Sequence, residues 1–222
     1  MSRIPYPELA DLSEAKRAFV AAPAHRLLNV VRMALHTPDG LWERQSALSA
    51  ATVTMSNMDP MLREVLILTV AHVSNSEYEL FHHVSIAGNL GMSEATMAAI
   101  ARGDYASLPE AERVVAQFTA EVVRDVSPSD ETLAATRALF SDRMIFEMVA
   151  IIGVYMMTAR VAAVGGCEVD GAAAPGSPAS SSWRMSGSSA RSRTSARSRA
   201  WTPCSWASAT SCCPRALGAP IQ

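Results

Sequence analysis

The sequence predicts an all-α domain of about seven to eight helices, followed by a tail of different composition. Apolar residues recur at helical spacing in one segment after another of residues 1–172. Ser, Asp, Pro and Gly occupy the positions at which helices begin and end. No run of strand length alternates between apolar and polar residues. We therefore expect residues 1–172 to form one helical domain.

Three helices are predicted in the first part of the chain. Ser13 is the expected N-cap of a helix over residues 13–21. A second helix is predicted over residues 24–36, because four apolar residues there follow helical spacing: Leu27, Leu28, Val31 and Leu35. The sequence TPDG then ends this helix, and a third helix is predicted over residues 39–55.

The central pair of helices has the clearest boundary signals. Asp59 and Pro60 start a helix that runs to residue 73, with Pro60 in its first turn. The sequence SNS at residues 74–76 breaks this helix and caps the next one, which is predicted to end near Asn89 with Gly91 just beyond it.

The rest of the domain is predicted to contain four more helices. Ser93 caps a helix that ends at Arg102 and Gly103. The other three cover residues 109–125, 128–140 and 142–164, with predicted caps at Ser127, Ser129 and Ser141. The last contains the most apolar run, Met148 to Ala159. Its 12 residues are too few to span a bilayer and indicate a core or subunit-interface helix.

The last 50 residues differ from the rest in charge and composition. Residues 1–172 carry 13 Lys and Arg against 21 Asp and Glu, a net charge of −8, whereas residues 173–222 carry six Arg and no acid. The tail is rich in Ser, Ala, Arg and Pro and shows no helical or strand period, which predicts disorder. Its composition also fits a frameshift near residue 172 in a GC-rich gene.

Several classes of protein are disfavoured. An acidic domain argues against a nucleic-acid partner, because phosphate contacts need clustered Lys and Arg. Residues 1–12 contain prolines and acids where a secretory signal needs an apolar run, so we expect a cytoplasmic protein without a membrane partner. Cys167 is the one cysteine before the tail, so no disulfide framework is expected.

The sequence SNSEYELFHHVSIAGNLG, residues 74–91, concentrates polar residues that have two interpretations. Ser76 and Glu79 have the spacing of a capping box, so local structure alone would explain both. Alternatively, Glu79 orients His83 one turn later and raises its pKa, which makes a proton relay. Glu64 lies in an otherwise apolar helix and would reach this pair if the two helices pack antiparallel.

A metal site is a further alternative. His72, Glu79 and His83 would share one stripe of an unbroken helix, and two His with one carboxylate can bind zinc or iron. Because the SNS sequence is predicted to break the helix, we expect no metal at these residues.

Residues 60–103 resemble the core of the carboxymuconolactone decarboxylase family, which also contains the alkyl hydroperoxidase D (AhpD) proteins. Those peroxidases carry Glu, eleven residues, Cys, two residues, Cys, three residues and His. Here Glu64, Ser76, Glu79 and His83 occupy the same frame, with both cysteines replaced. The decarboxylase branch carries E-L-x-x-H-V, which the residues from Glu79 onward match.

This resemblance implies an AhpD-like antiparallel helical fold that assembles as a trimer or hexamer with sites near subunit contacts. It also implies a lyase or isomerase that acts without cofactor on a small carboxylated or lactone substrate. The expected catalytic residues are His83, Glu79 and Glu64. The expected substrate-binding residues are Ser76, Tyr78 and His82.

Two other functions compete with this one. A thiol peroxidase is implied by the AhpD proteins of the same family, but Ser76 and Glu79 cannot pass through the sulfenic acid and disulfide steps. An oligomeric binding protein that has lost the chemistry is the other alternative. It would keep a pocket without turnover.

Overall fold

The computed structural model describes residues 2–22 and 27–171. Within these residues every regular element is a helix, as predicted. There are nine α-helices, more than the seven to eight expected, and two short 3-10 helices. The α-helices are α1 (Glu14–Ala21), α2 (Asn29–Ala34), α3 (Asp39–Thr54), α4 (Pro60–Val73), α5 (Glu77–Asn89), α6 (Glu94–Arg102), α7 (Glu110–Asp125), α8 (Asp130–Leu139) and α9 (Asp142–Gly165).

Helix α4 forms the centre of the domain. It packs against α5, α6, α7 and α9, so almost every side of it is covered. Its residues from Glu64 to Ala71 are all buried, which explains why this helix is apolar around its circumference rather than along one stripe. The neighbours contribute the other fully buried large side chains, among them Phe118 of α7 and Ile151 of α9.

The turn between α4 and α5 determines how the polar residues of α5 lie relative to Glu64 on α4. Asn75 has a left-handed backbone with φ of 52°, a conformation that asparagine tolerates better than most residues. The Ser76 N–H donates to the Ala71 carbonyl at 2.8 Å, which closes a tight turn. Helix α5 therefore folds back along α4, and the two helices pack directly on each other.

Helix α9 extends beyond the apolar run, Met148 to Ala159, at both of its ends. Among the described residues, it is the one helix with the length and hydropathy of a membrane span. It packs against α2, α3, α4, α5, α7 and α8, as a core helix does. One side of it buries Met148, Ile151 and Ile152, while Phe146 on another side is 73% exposed.

Two predicted boundaries were wrong. Helix α2 begins at Asn29, because Leu28 has an extended backbone and acts as the N-cap residue; part of the predicted 24–36 helix, residues 24–26, lies outside the described residues. Ser127 caps no helix: its hydroxyl donates to the Pro128 carbonyl, while the caps predicted at Ser129 and Ser141 are present. The predicted disordered tail, residues 173–222, also lies outside the described residues.

Candidate active site

The His83 imidazole lies between two buried carboxylates. Its Nδ1 is 2.8 Å from Oε2 of Glu64 on α4, and its Nε2 is 3.5 Å from Oε2 of Glu79 one turn earlier on α5. Relative exposures are only 3% for Glu64, 4% for Glu79 and 9% for His83. The structure thus brings together the three residues that were predicted to be catalytic, and their catalytic role stays a prediction. We call them the triad.

The protonation of the triad follows from burial and mutual charge. Burial by itself lowers the pKa of His83, but the hydrogen bond to Glu64 and the charges of Glu64 and Glu79 outweigh it and raise the pKa above its ordinary value. Burial also raises the pKa of Glu79, against the opposing charges of His83 and His82. Both shifts act in the same direction, because each favours the protonated form of its group.

Ser76 forms half of a capping box. Its hydroxyl accepts a hydrogen bond from the Glu79 N–H at 3.4 Å, as a helix N-cap does. In a full capping box, the Glu79 carboxylate would accept a hydrogen bond from the Ser76 N–H. Here the Ser76 N–H donates to the Ala71 carbonyl, and the Glu79 carboxylate faces His83. Helix capping therefore does not explain the Glu79 side chain.

Tyr155 was missed by the sequence analysis. Its ring lies edge-on to the His83 imidazole, with centroids 5.1 Å apart and an interplanar angle of 84°. Burial, followed by the charges of Glu64 and Glu79, raises the pKa of its hydroxyl. The available signal was weak: Tyr155 is the one aromatic residue with a polar group inside the apolar run of α9.

Tyr78 and His82, predicted to bind substrate, have protein partners. The Tyr78 hydroxyl donates to Oδ2 of Asp170, and His82 Nε2 contacts the same oxygen at 3.1 Å. The other oxygen of Asp170 accepts the Asn29 N–H at 3.0 Å, at the start of α2. We call Asp170 and these three partners the Asp170 cluster. That Tyr78, His82 or Ser76 contacts substrate stays a prediction.

The Asp170 cluster joins α2 and α5 to the segment that follows α9. Burial by itself would raise the pKa of Asp170, but the hydrogen bonds from His82, Tyr78 and Asn29 lower it below its usual value. Its stabilising contribution is therefore present above the unfolded pKa of about 3.8 and lost as the pH falls further.

We expect Asp170→Asn to destabilise the domain by about 1–3 kcal/mol, since hydrogen bonds to a charged acceptor are lost. Urea unfolding at pH 7 measures this difference, and Asp125→Asn, at an exposed carboxylate, is the matched control. Truncation after residue 172, the predicted domain boundary, should leave stability unchanged, whereas truncation after Gly165 should destabilise like the substitution or more. Equal stability of all four chains would contradict this role for Asp170.

The described residues offer no metal site. Within 2–22 and 27–171, no three His, Cys, Asp or Glu side chains are arranged to hold a metal ion. His72 remains on α4, because the turn at Asn75 separates it from α5. Each nitrogen of His83 faces a carboxylate instead of an open ligand position.

Two cavities in the described residues lie away from the triad. The larger, of about 350 Å³, is lined by residues of α4, α7 and α9 near Ser74 and Arg124. The smaller, of about 190 Å³, lies between α3 and α9 near Met55 and Glu147. Neither includes Glu64, Glu79 or His83.

Comparison with solved structures identifies the fold. A peroxidase-related protein from Ralstonia eutropha, described as an alkylhydroperoxidase AhpD core, matches with a TM-score of 0.63 and 21% identity over 77% of this chain and 93% of that one. A peroxidase-related protein from a Silicibacter species matches with a TM-score of 0.62 and 18% identity over 75% and 89%.

A third protein, from Agrobacterium tumefaciens and provisionally named as an AhpD antioxidant defence protein, gives a TM-score of 0.56 and 19% identity over 61% of this chain and 94% of that one. No protein-family model matches the sequence, and no curated protein matches it. The resemblance seen in the sequence and the three structural matches agree on one conclusion: the chain has the AhpD-like helical fold.

Proposed function

We propose that the protein is a lyase or isomerase that acts without cofactor on a small carboxylated or lactone substrate. The observation that carries the proposal is the His83 imidazole held between the buried carboxylates of Glu64 and Glu79. A buried imidazole with a raised pKa is suited to donate a proton near neutral pH. The decarboxylase-type motif around His83 supports this class of reaction.

The three side chains have different parts in the proposed proton transfer. Glu64 accepts from Nδ1 and fixes the orientation of the ring. The looser contact, 3.5 Å between Nε2 and Glu79, leaves Nε2 as the nitrogen that exchanges its proton. Glu79, whose pKa is raised by burial, is the group that returns a proton to Nε2.

In a decarboxylation, the C–C bond to the carboxylate breaks and CO₂ leaves. Its electron pair is delocalised into the lactone as a dienolate, and a carbon of that dienolate then takes the proton from His83. The neutral lactone and CO₂ are the products, and no oxidant or reductant is consumed. An isomerase would lose no CO₂. Neutral His83 would take a proton from one carbon of the substrate to form the enolate, and the protonated ring would return it to another carbon.

Incubation with unsaturated lactone acids in D₂O tests the proposal. We expect one solvent deuterium per turnover at the protonated carbon, with CO₂ released if the reaction is a decarboxylation. A control with a His83→Gln protein separates enzyme-bound from spontaneous reaction. If no lactone acid is converted, or conversion does not depend on His83, the proposal fails.

A thiol peroxidase is the alternative that the names of the structural neighbours favour. The positions of its two thiols hold Ser76 and Glu79, and the one cysteine of the described residues, Cys167, contacts the carbonyl of Asn29. Burial raises the pKa of Cys167, which keeps it in the less reactive thiol form.

We therefore expect no thiol-dependent peroxide reduction. A peroxidase assay with a dithiol reductant measures it, and a Cys167→Ser protein is the control. Peroxide reduction that disappears with Cys167→Ser would favour the peroxidase instead.

We also propose an assembly and a location for the protein. Exposed apolar residues on α9 and α5, including Phe146 and Phe81, fit a homo-oligomer, and the resemblance favours a trimer or hexamer. We propose that the protein is cytoplasmic. Its partner would be a small molecule, with no nucleic acid or membrane bound. A binding protein without turnover is the remaining alternative, and the D₂O experiment distinguishes it.

A further inference from the structure

The larger of the two cavities, of about 350 Å³, lies where α4, α7 and α9 meet, and no residue of the triad lines it. Its volume is at the lower end of the range of about 300–1,000 Å³ that is usual for small-molecule sites. Four of its lining residues have small apolar side chains: Val73, Val123, Ala159 and Ala163. This part of the wall suits a short aliphatic group.

Two arginines give the same cavity its charge. Arg124 of α7 and Arg160 of α9 both line it, and among the described residues neither forms an ion pair with an acid. Arg160 donates a hydrogen bond to the Met156 carbonyl at 2.7 Å, and its other N–H groups remain available. No acidic residue is among the described residues of the wall. The cavity therefore places two positive charges beside an apolar surface.

The partial charges of the neighbouring helix ends do not cancel these two charges. Helix α4 ends at Val73 and α7 ends at Asp125, and each C-terminal end carries about half a negative charge. Helix α9 ends five residues after Arg160, beyond the single turn within which such an effect acts. The two guanidinium groups exceed the ends of α4 and α7 by about one positive charge. Balancing the helix ends is therefore not a sufficient reason for both arginines.

Ser74 provides a second, independent sign of an absent partner. This residue lines the cavity, and its hydroxyl oxygen is enclosed without a hydrogen-bond partner among the described residues. An enclosed polar group without a partner is uncommon, because its desolvation costs about 1–3 kcal/mol. A hydroxyl donates readily to an anionic oxygen, so an anion in this cavity would supply the partner.

We propose that this cavity is a second ligand site, which binds a small organic anion through Arg124, Arg160 and Ser74. The ligand class is a carboxylate or a phosphate joined to a short aliphatic group, because a guanidinium pairs with the oxygens of either anion. The aliphatic group lies against the apolar part of the wall. The site does not depend on the proposed function, since no residue of the triad takes part in it.

Binding of matched probes to the full chain tests the site. Valerate and butyl phosphate each join one anionic group to a short chain, and 1-pentanol keeps a chain of similar length without the charge. Calorimetry measures affinity, and the methyl resonances of Ala159 and Ala163 in NMR report whether a probe lies in the cavity. We expect at least one of the anions to shift these methyl resonances and to bind at least about tenfold more tightly than 1-pentanol.

Substitutions then assign the residues. Arg124→Gln and Arg160→Gln should each weaken binding of that anion by about ten- to a hundredfold, the effect of one charge-assisted hydrogen bond, and Ser74→Ala should weaken it by a smaller factor. Arg113→Gln, at an exposed arginine of α7 outside the cavity, should leave affinity unchanged. His83→Gln should also leave it unchanged, which distinguishes this cavity from the triad. Circular dichroism checks that each variant is folded.

Anion binding that depends on both arginines and persists in His83→Gln supports the site. Binding of valerate alone identifies the ligand as a carboxylate, and binding of butyl phosphate alone identifies it as a phosphate. Failure of both anions to bind, equal affinity for 1-pentanol, or affinity that neither arginine substitution changes would overturn the inference. The inference and the proposed function fail separately, because turnover of lactone acids depends on His83 and binding in this cavity does not.

Discussion

His83→Gln should lower turnover by about 10²–10⁴, the usual contribution of a positioned acid or base. The fold should survive, because a glutamine amide in this position still donates a hydrogen bond to the Glu64 carboxylate. Turnover of lactone acids under saturating substrate measures the effect, and circular dichroism checks the fold. The fall should appear in kcat, since His83 acts on the proton in transit rather than on binding.

His72→Gln is the matched control for this substitution. His72 lies one residue before the end of α4, is half-buried, and contacts neither Glu64 nor Glu79 in the described structure. Burial alone lowers its pKa, so no nearby carboxylate affects it. Its substitution should leave kcat unchanged. A His83→Gln protein with full turnover, or an equal loss in both variants, would place the chemistry elsewhere.

Glu64→Leu should destabilise the domain by about 3–5 kcal/mol, since it removes one partner from a buried charge pair. Leucine fits the apolar surroundings of α4, so the loss comes from the unpaired Nδ1–H of His83 and not from packing. Urea unfolding at pH 6 measures it. Glu77→Leu, at an exposed carboxylate in the first turn of α5, should change stability by less than about 1 kcal/mol.

The pH dependence of that loss identifies its cause. The folded pKa of His83 is raised above its ordinary value of 6.5, so the pair contributes its full stability below that pH. The contribution is lost as the pH rises through the folded pKa. The destabilisation by Glu64→Leu should therefore be larger at pH 6 than at pH 9. An equal loss at both values would assign it to packing.

Most of the fold is predictable because its signals are local. Asp59 and Pro60 begin α4, and Ser76, Ser93 and Ser141 cap their helices where the spacing predicts them. Each of these signals acts within one helical turn, so the sequence around it suffices. The side chains of Glu64 and His83 could be paired because two consecutive helices joined by a short turn pack antiparallel.

The features that escaped prediction depend on distant parts of the chain. Asp170 binds the N–H of Asn29, 141 residues away, and so affects where α2 begins. Tyr155 reaches His83 from α9, and its spacing within an apolar run gives no sign of a polar neighbour. Tyr78 and His82 resemble ligand-binding residues in sequence because their common partner, Asp170, follows them by about ninety residues.

Nitrogen NMR of the His83 ring across pH tests the central claim most directly, that a buried imidazole between Glu64 and Glu79 keeps a proton ready for transfer. The wild-type ring should carry protons on both nitrogens at pH 7, with a pKa above the ordinary 6.5, and Glu64→Gln should lower that pKa. A wild-type ring that is neutral at pH 7 and titrates below 6.5 would contradict the account.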